Sequence, residues 1–213
     1  MTGGARSIRA RGLCAVVGFG LLVGCSSAVN TEPYAAPERL TAAEQESLAD
    51  LAVRADQLPA LRETSRSLTR QDVEDLADLP DLGETLDANG FRGGMDYELR
   101  GKSRQLTGVE SQVLAFSSAQ GAASFGDYLS ANAAGFFGVP TGVKRVDVRG
   151  RSAWVFDPPL CNCAGAQPFV AGAMVDGADV LVLQITGPQA NAHLFRRLLK
   201  SAAADRPTPL TTP

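Results

Sequence analysis

The sequence predicts an α+β fold for residues 41–203: a mainly antiparallel sheet of about six strands with helices packed on it, preceded by a helical segment over residues 41–89. Three observations carry this expectation. Apolar residues recur at helical spacing as far as Ala88 and then, after Gly93-Gly94, switch to the alternation of a half-buried strand. Two hairpin signals follow, Arg149-Gly150-Arg151 and Asp176-Gly177, each between apolar runs. The arm after the second, Val180-Leu181-Val182-Leu183-Gln184-Ile185, is apolar on both faces, which requires a central strand covered above and below.

Before this domain, residues 1–24 carry Arg6, Arg9 and Arg11 with no acidic side chain, then an apolar run from Leu13 to Val23. These are the charged and apolar regions of an export signal, the run being too short for a stable bilayer-spanning helix. The run ends in Leu22-Val23-Gly24-Cys25, which resembles the lipobox of bacterial secreted lipoproteins. That resemblance implies a diacylglyceryl group on the Cys25 thiol, cleavage just before it, and a membrane partnership through the lipid anchor on the extracytoplasmic side of the cell membrane. The Ala, Gly and Arg bias of the chain is similar to that of actinobacterial lipoproteins. Residues 25–40 then read as lipidated cysteine and tether, small, polar or Pro, with no apolar period.

Thr41-x-x-Glu44 is a capping-box signature, and Leu48, Leu51, Ala52, Ala55 and Leu58 predict a helix running to Pro59. Thr69 caps a second helix with Val73, Leu76 and Ala77 on one face, ended by Pro80. A third is expected over 82–88, closed by Asn89-Gly90. Met95, Tyr97 and Leu99 alternate with charged residues in the first strand, and Val109 to Phe116 forms the second. Ser118 caps a helix bearing Ala122, Phe125 and Leu129, ending near Asn132. After an apolar loop at 135–140, strands are expected over 143–149, 152–156, 169–175 and 178–186, with a type I′ turn at Asp176-Gly177. Gly187-Pro188 opens a last helix with Ala190, Leu194, Leu198 and Ala202 as its stripe and Arg196, Arg197 and Lys200 toward its negative end. Residues 204–213, with three prolines and no apolar core, read as a disordered tail. This element order resembles the Mog1/PsbP-like fold, and cystatin-like and ferredoxin-like arrangements fit it as well.

Composition narrows the partners. The chain has 20 Lys and Arg against 23 Asp and Glu, and loss of residues 1–24 leaves 17 against 23. An acidic balance argues against nucleic acid and against an electrostatic hold on anionic lipid, both of which need clustered basic residues. Hydrophobic residues at 45% with aromatics at only 6% suit a core packed from Ala, Val and Leu.

No complete catalytic set is legible, so an enzyme is not expected and no cofactor or metal is implied. The single histidine, His193, falls in the last helix, where a surface position is the ordinary outcome. No Gly-x-Ser-x-Gly elbow is present, and Gly90-Phe91-Arg92-Gly93-Gly94 lacks the flanks of a phosphate loop. Asp72, Glu74, Asp75 and Asp78 read as a solvated helix face. With Cys14 in the signal and Cys25 on lipid, Cys161 and Cys163 remain as an isolated pair. They would bond to each other in a small strained ring, stay reduced, bond to a partner, or clamp a soft ion such as Cu(I) with help from Met174. Phe136 and Phe137 either close one end of the core or contact a ligand or partner. The leading expectation is therefore a non-catalytic cell-envelope lipoprotein that binds a protein or envelope component. An apolar-ligand carrier or sensor, and a redox or copper-handling protein using Cys161 and Cys163, are the alternatives.

Overall fold

Seven strands form one sheet in the computed structural model, which describes residues 40–77, 79, 81–101, 105–136, 143–158 and 167–204. They are β1 (Arg62–Leu68), β2 (Phe91–Arg100), β3 (Gly108–Phe116), β4 (Val143–Val148), β5 (Arg151–Phe156), β6 (Phe169–Asp176) and β7 (Asp179–Thr186). The spatial order is β1-β2-β3-β7-β6-β5-β4, with every neighbouring pair antiparallel. β7 thus lies in the middle, as its doubly apolar sequence demands. Its alternate residues serve two separate cores: Leu181, Leu183 and Ile185 in one, Val180 and Val182 in the other.

Each core has its own helices. On the first face lie α1 (Ala42–Leu51) and α6 (Ala192–Ala202), which contribute Leu48, Leu51, Leu194, Phe195, Leu198 and Leu199. On the second lie α2 (Arg70–Asp75), α3 (Leu82–Ala88) and α4 (Ala119–Ala131), contributing Val73, Leu82, Leu86, Ala122, Phe125 and Leu129. A four-residue helix, α5 (Ala133–Phe136), follows α4. The molecule is therefore α+β, one antiparallel sheet between two helical layers.

The seventh strand corrects the expected count and interrupts the expected helical segment over 41–89. β1 reads Arg-Glu-Thr-Ser-Arg-Ser-Leu, and only Leu68 in it is buried. An edge strand needs no alternation of apolar residues if its backbone is held by a ladder, here running from Arg62 opposite Arg100 to Leu68 opposite Gly94. Arg66 adds an ion pair to Asp96 of β2, Nε to Oδ2 at 3.1 Å. Charges along such an edge also discourage pairing with another sheet.

α1 is shorter than its apolar spacing predicts, ending at Leu51 instead of near Leu58. Ala52 turns extended, at φ −75° and ψ 153°. The amides beyond it find partners on the sheet. Val53 N–H donates to Ser111 Oγ at 2.9 Å, and Ala55 N–H donates to Glu63 Oε2 at 2.8 Å. Helical periodicity continues past Leu51 only because Ala52 and Val53 are buried by other means.

All three predicted hydroxyl caps are present, Ser118 accepting from Gly121 N–H at 3.0 Å. Thr41 and Thr69 each accept from the backbone three residues on, and the carboxylates of Glu44 and Asp72 reach back to the cap amides. The Thr41 backbone N–H, then its hydroxyl, then Arg92 hold the Glu44 carboxyl down from 4.5 to about 2. A depressed folded-state pKa gives stability that is present above the unfolded value and lost as pH falls through the folded one. The start of α1 should consequently loosen between about pH 5 and pH 2. Amide exchange of residues 42–45 followed against pH checks this, and Glu44→Gln should remove the acid dependence there.

The turns redistribute the expected chemistry. Asp176 pairs with Asp179, so the β6–β7 loop is Gly177-Ala178, with positive φ only at Gly177, the glycine placement of a type II′ turn. The type I′ pattern, expected at Asp176-Gly177, instead occurs between β4 and β5, where Arg149 and Gly150 have φ of 55° and 77°. Gly93-Gly94 lies inside β2, not before it, because the strand begins at Phe91 with a register shift at Gly93. α6 begins later than expected, with Asn191 as its cap accepting from Leu194 N–H at 2.9 Å. Gly187 belongs to the preceding connection, where its φ of +145° and close approach to Leu106 and Thr107 leave no room for a side chain.

Candidate functional site

Because α1 stops at Leu51 and β1 starts at Arg62, a connection over residues 52–61 crosses the first face of the sheet, from Ser111 of β3 past Tyr97 of β2 to Glu63 of β1. Arg54 anchors it. Its Nε lies 2.8 Å from Glu63 Oε1, and its guanidinium lies 4.7 Å from the centre of the Tyr97 ring. Glu63 thereby holds the connection twice, through Arg54 and through the Ala55 amide. Burial pushes the Tyr97 phenol up from its usual value, against the opposing pull of the Arg54 charge.

This arrangement leaves an open groove of about 510 Å³, lined by Ala49, Asp50, Arg54, Asp56, Gln57 and Glu63 among others. A second groove of about 270 Å³ runs from Gln57 to Leu61 and across to Gln105 and Leu106. Gln57 lines both. Its backbone N–H donates to Asp56 Oδ1 at 2.9 Å, and its side-chain Oε1 is buried with no hydrogen-bond partner among the described residues. The lining offers the carboxylates of Asp50, Asp56 and Glu63, the Arg54 guanidinium, the Gln57 amide and the small apolar residues Ala49, Ala52 and Ala55. Such a lining suits a polar segment of another molecule, held by hydrogen bonds and charge.

The residues singled out in the sequence are dispersed. Cys25, Cys161, Cys163 and Phe137 lie outside the described residues. Phe136 is the last residue of α5, so the expected apolar loop begins instead as a short helix; its side chain is outside the described residues. The cavity between α4, Ala133, Val143, Trp154 and Phe156 measures only about 10 Å³, too small for an apolar ligand. Met174, considered as a helper for a thiolate-bound ion, is instead fully buried in the core of the first face, so it offers no surface ligand. His193 is exposed on α6. Asp72 and Glu74 serve ion pairs with Arg66 and Arg70, and Asp75 accepts from Gln71; Asp78 is outside the described residues. Among the described residues no three His, Cys, Asp or Glu side chains gather as metal ligands, and no helix is long and apolar enough to cross a membrane.

The groove was missed in the sequence. Arg54, Gln57 and Glu63 form no spaced motif, and the helical pattern through Leu58 concealed the connection that carries them.

No family model and no curated protein matches the chain. Among solved structures, it is similar to the extracellular domain of PknH from Mycobacterium tuberculosis, at 10% sequence identity and a TM-score of 0.45, the alignment covering 80% of this chain and 100% of that one. No residue role is carried over from it.

Proposed function

We propose that this protein is a non-catalytic cell-envelope lipoprotein, held by a lipid on Cys25 outside the cytoplasmic membrane, whose α+β domain binds a protein or envelope component. The observation that carries the binding role is the groove of about 510 Å³ at the α1–β1 connection. Its volume falls within the usual range for ligand sites, yet its openness and its mix of Asp50, Asp56, Arg54 and Gln57 favour a segment of a larger polar partner. The cavity of about 10 Å³ beside α5 gives the apolar-carrier alternative no comparable support.

Asp50 and Asp56 are exposed on the groove rim, so Asp50→Lys with Asp56→Lys inverts its charge without touching the core. Affinity capture from envelope extract with the mature lipoprotein should recover a partner that this double variant loses, by roughly tenfold or more if each carboxylate meets a cation. Equal capture by both proteins, or turnover of a substrate by the wild type, overturns the reading. The address has its own test. Cys25→Ala should leave unprocessed precursor and abolish lipid labelling, and normal processing in that variant would refute the anchor.

A further inference from the structure

The described cations divide into two populations. Arg54, Arg66, Arg70, Arg92, Arg100, Arg145 and Arg151 all sit in ion pairs. Lys144, Arg149, Arg196, Arg197 and Lys200 are exposed and have no carboxylate within ion-pair distance among the described residues; Arg62 is the sixth such cation. Five of the six gather on one flank. Arg196, Arg197 and Lys200 lie on the outer face of α6, a helix without a single Asp or Glu. Lys144 shares with Val146 and Val148 the side of β4 that faces α6, and Arg149 forms the β4–β5 turn, where the exposed Asp147 carboxylate accepts from Gly150 N–H at 3.0 Å.

Like charges four residues apart, as at Arg196 and Lys200, weaken a helix unless something else meets them. The nearest acidic helix on the same side is α1, with exposed Glu46 and Asp50. It packs on β2 and β3, whereas α6 packs on β6 and β4. At the spacing of strands this separates the helices by roughly 17 Å, beyond the screening length of about 8 Å at physiological salt. The α6 flank therefore acts on its surroundings as a basic surface, although the protein as a whole is acidic.

Its placement indicates what it meets. Leu40, where the chain enters the fold, packs over Gly93, near the end of the sheet at which Phe91 pairs with Phe116. Following the register through β3, β7, β6 and β5 puts the Arg149-Gly150 turn at that same end. The fifteen residues from Ser26 to Leu40 span at most about 50 Å when extended. We propose that the α6 flank, with Lys144, Arg149, Arg196, Arg197 and Lys200, docks on the anionic phospholipid headgroups of the membrane to which Cys25 tethers the domain. This rests on the lipoprotein reading and deepens it: the anchor limits distance, and the basic flank sets orientation, leaving the acidic groove at the α1–β1 connection for the partner.

The test uses the full mature lipoprotein in phosphatidylcholine vesicles with and without phosphatidylglycerol. Energy transfer from Trp154, the only tryptophan, to a dansyl headgroup reports docking, and flotation reports anchoring separately. Transfer should rise with phosphatidylglycerol, fall with added salt, and be lost in Arg196→Gln/Arg197→Gln/Lys200→Gln, whose docking equilibrium drops by roughly a hundredfold at about fivefold per basic residue. Flotation should be unchanged throughout. Equal transfer with and without phosphatidylglycerol, or a triple variant that docks like the wild type, overturns the proposal. Transfer that follows protein density and not lipid charge assigns the flank to a second copy, meeting α1, and overturns it too. Failure to float with neutral vesicles defeats the anchor reading instead, and docking is then read as flotation with anionic vesicles alone, present or absent.

Discussion

Asp176→Ala should destabilise the protein by about 3–5 kcal/mol, the usual cost of removing one partner of a buried ion pair. Arg151 Nε lies 2.8 Å from Asp176 Oδ1, and the two side chains are only 1% and 5% exposed. They stand opposite each other where β5 and β6 approach their turns, on the side of the sheet that α6 covers. Truncating the carboxylate leaves the guanidinium short of its counter-charge in a site that water does not reach. Urea denaturation measures the loss, and the thermal midpoint should fall by roughly 10 °C for a domain of this size. Replacing both, as Arg151→Met with Asp176→Leu, should return stability to within about 1–2 kcal/mol of the wild type, because it removes the desolvation cost along with the attraction. A loss below about 1 kcal/mol in the single variant would show that the pair is solvated in solution.

That pair marks a boundary of what was legible in the sequence. Arg151 was visible only as a hairpin flank and Asp176 only as a turn residue. Nothing local joins them, because the contact depends on β5 and β6 being neighbours in one register. The same holds for the candidate groove: Glu63 captures Arg54 and the Ala55 amide only after β1 has joined the sheet. β1 itself was invisible, since an edge strand of Arg, Glu, Thr and Ser is fixed by its backbone partner and not by side-chain pattern. The elements that were legible are those whose own residues carry the cause. Thr41, Thr69 and Ser118 cap their helices because a short hydroxyl side chain can reach an amide three residues away. β7 declared itself central because a strand with no polar face has nowhere else to lie.

Net charge is silent on a related point. The whole-chain excess of acidic residues argues against an electrostatic hold on anionic lipid, yet charge is a sum and a surface is an arrangement. Seven of the eleven described arginines sit in ion pairs, three of them made by the pairing of strands, as Arg66 with Asp96, Arg100 with Glu110 and Arg151 with Asp176. Of the six described cations outside ion pairs, five lie along α6, β4 and the turn after it. The sequence contained one clue, the absence of acidic residues in the last helix.

Phe195→Ala is the second substitution with a large expected effect, a loss of about 3–5 kcal/mol. The ring is fully buried and is the contact by which α6 reaches the centre of the sheet: its Cζ would lie 3.0 Å from a Cβ placed on Gly172 of β6. Gly172 is what admits a phenylalanine there, in the middle of a strand flanked by Val155 and Leu183. If ring volume were the only constraint, Gly172→Ala should partly refill the cavity left by Phe195→Ala. It should not, because the same Cβ would lie 2.0 Å from the Trp154 carbonyl oxygen, a backbone atom that cannot step aside. Gly172→Ala alone should therefore cost about 3 kcal/mol through overpacking, and the double variant should be less stable than either single one. Denaturation of all four proteins gives the coupling between the sites. Rescue of Phe195→Ala by Gly172→Ala would mean that β5 and β6 can separate locally, and that α6 is placed by its remaining leucines instead of by this ring.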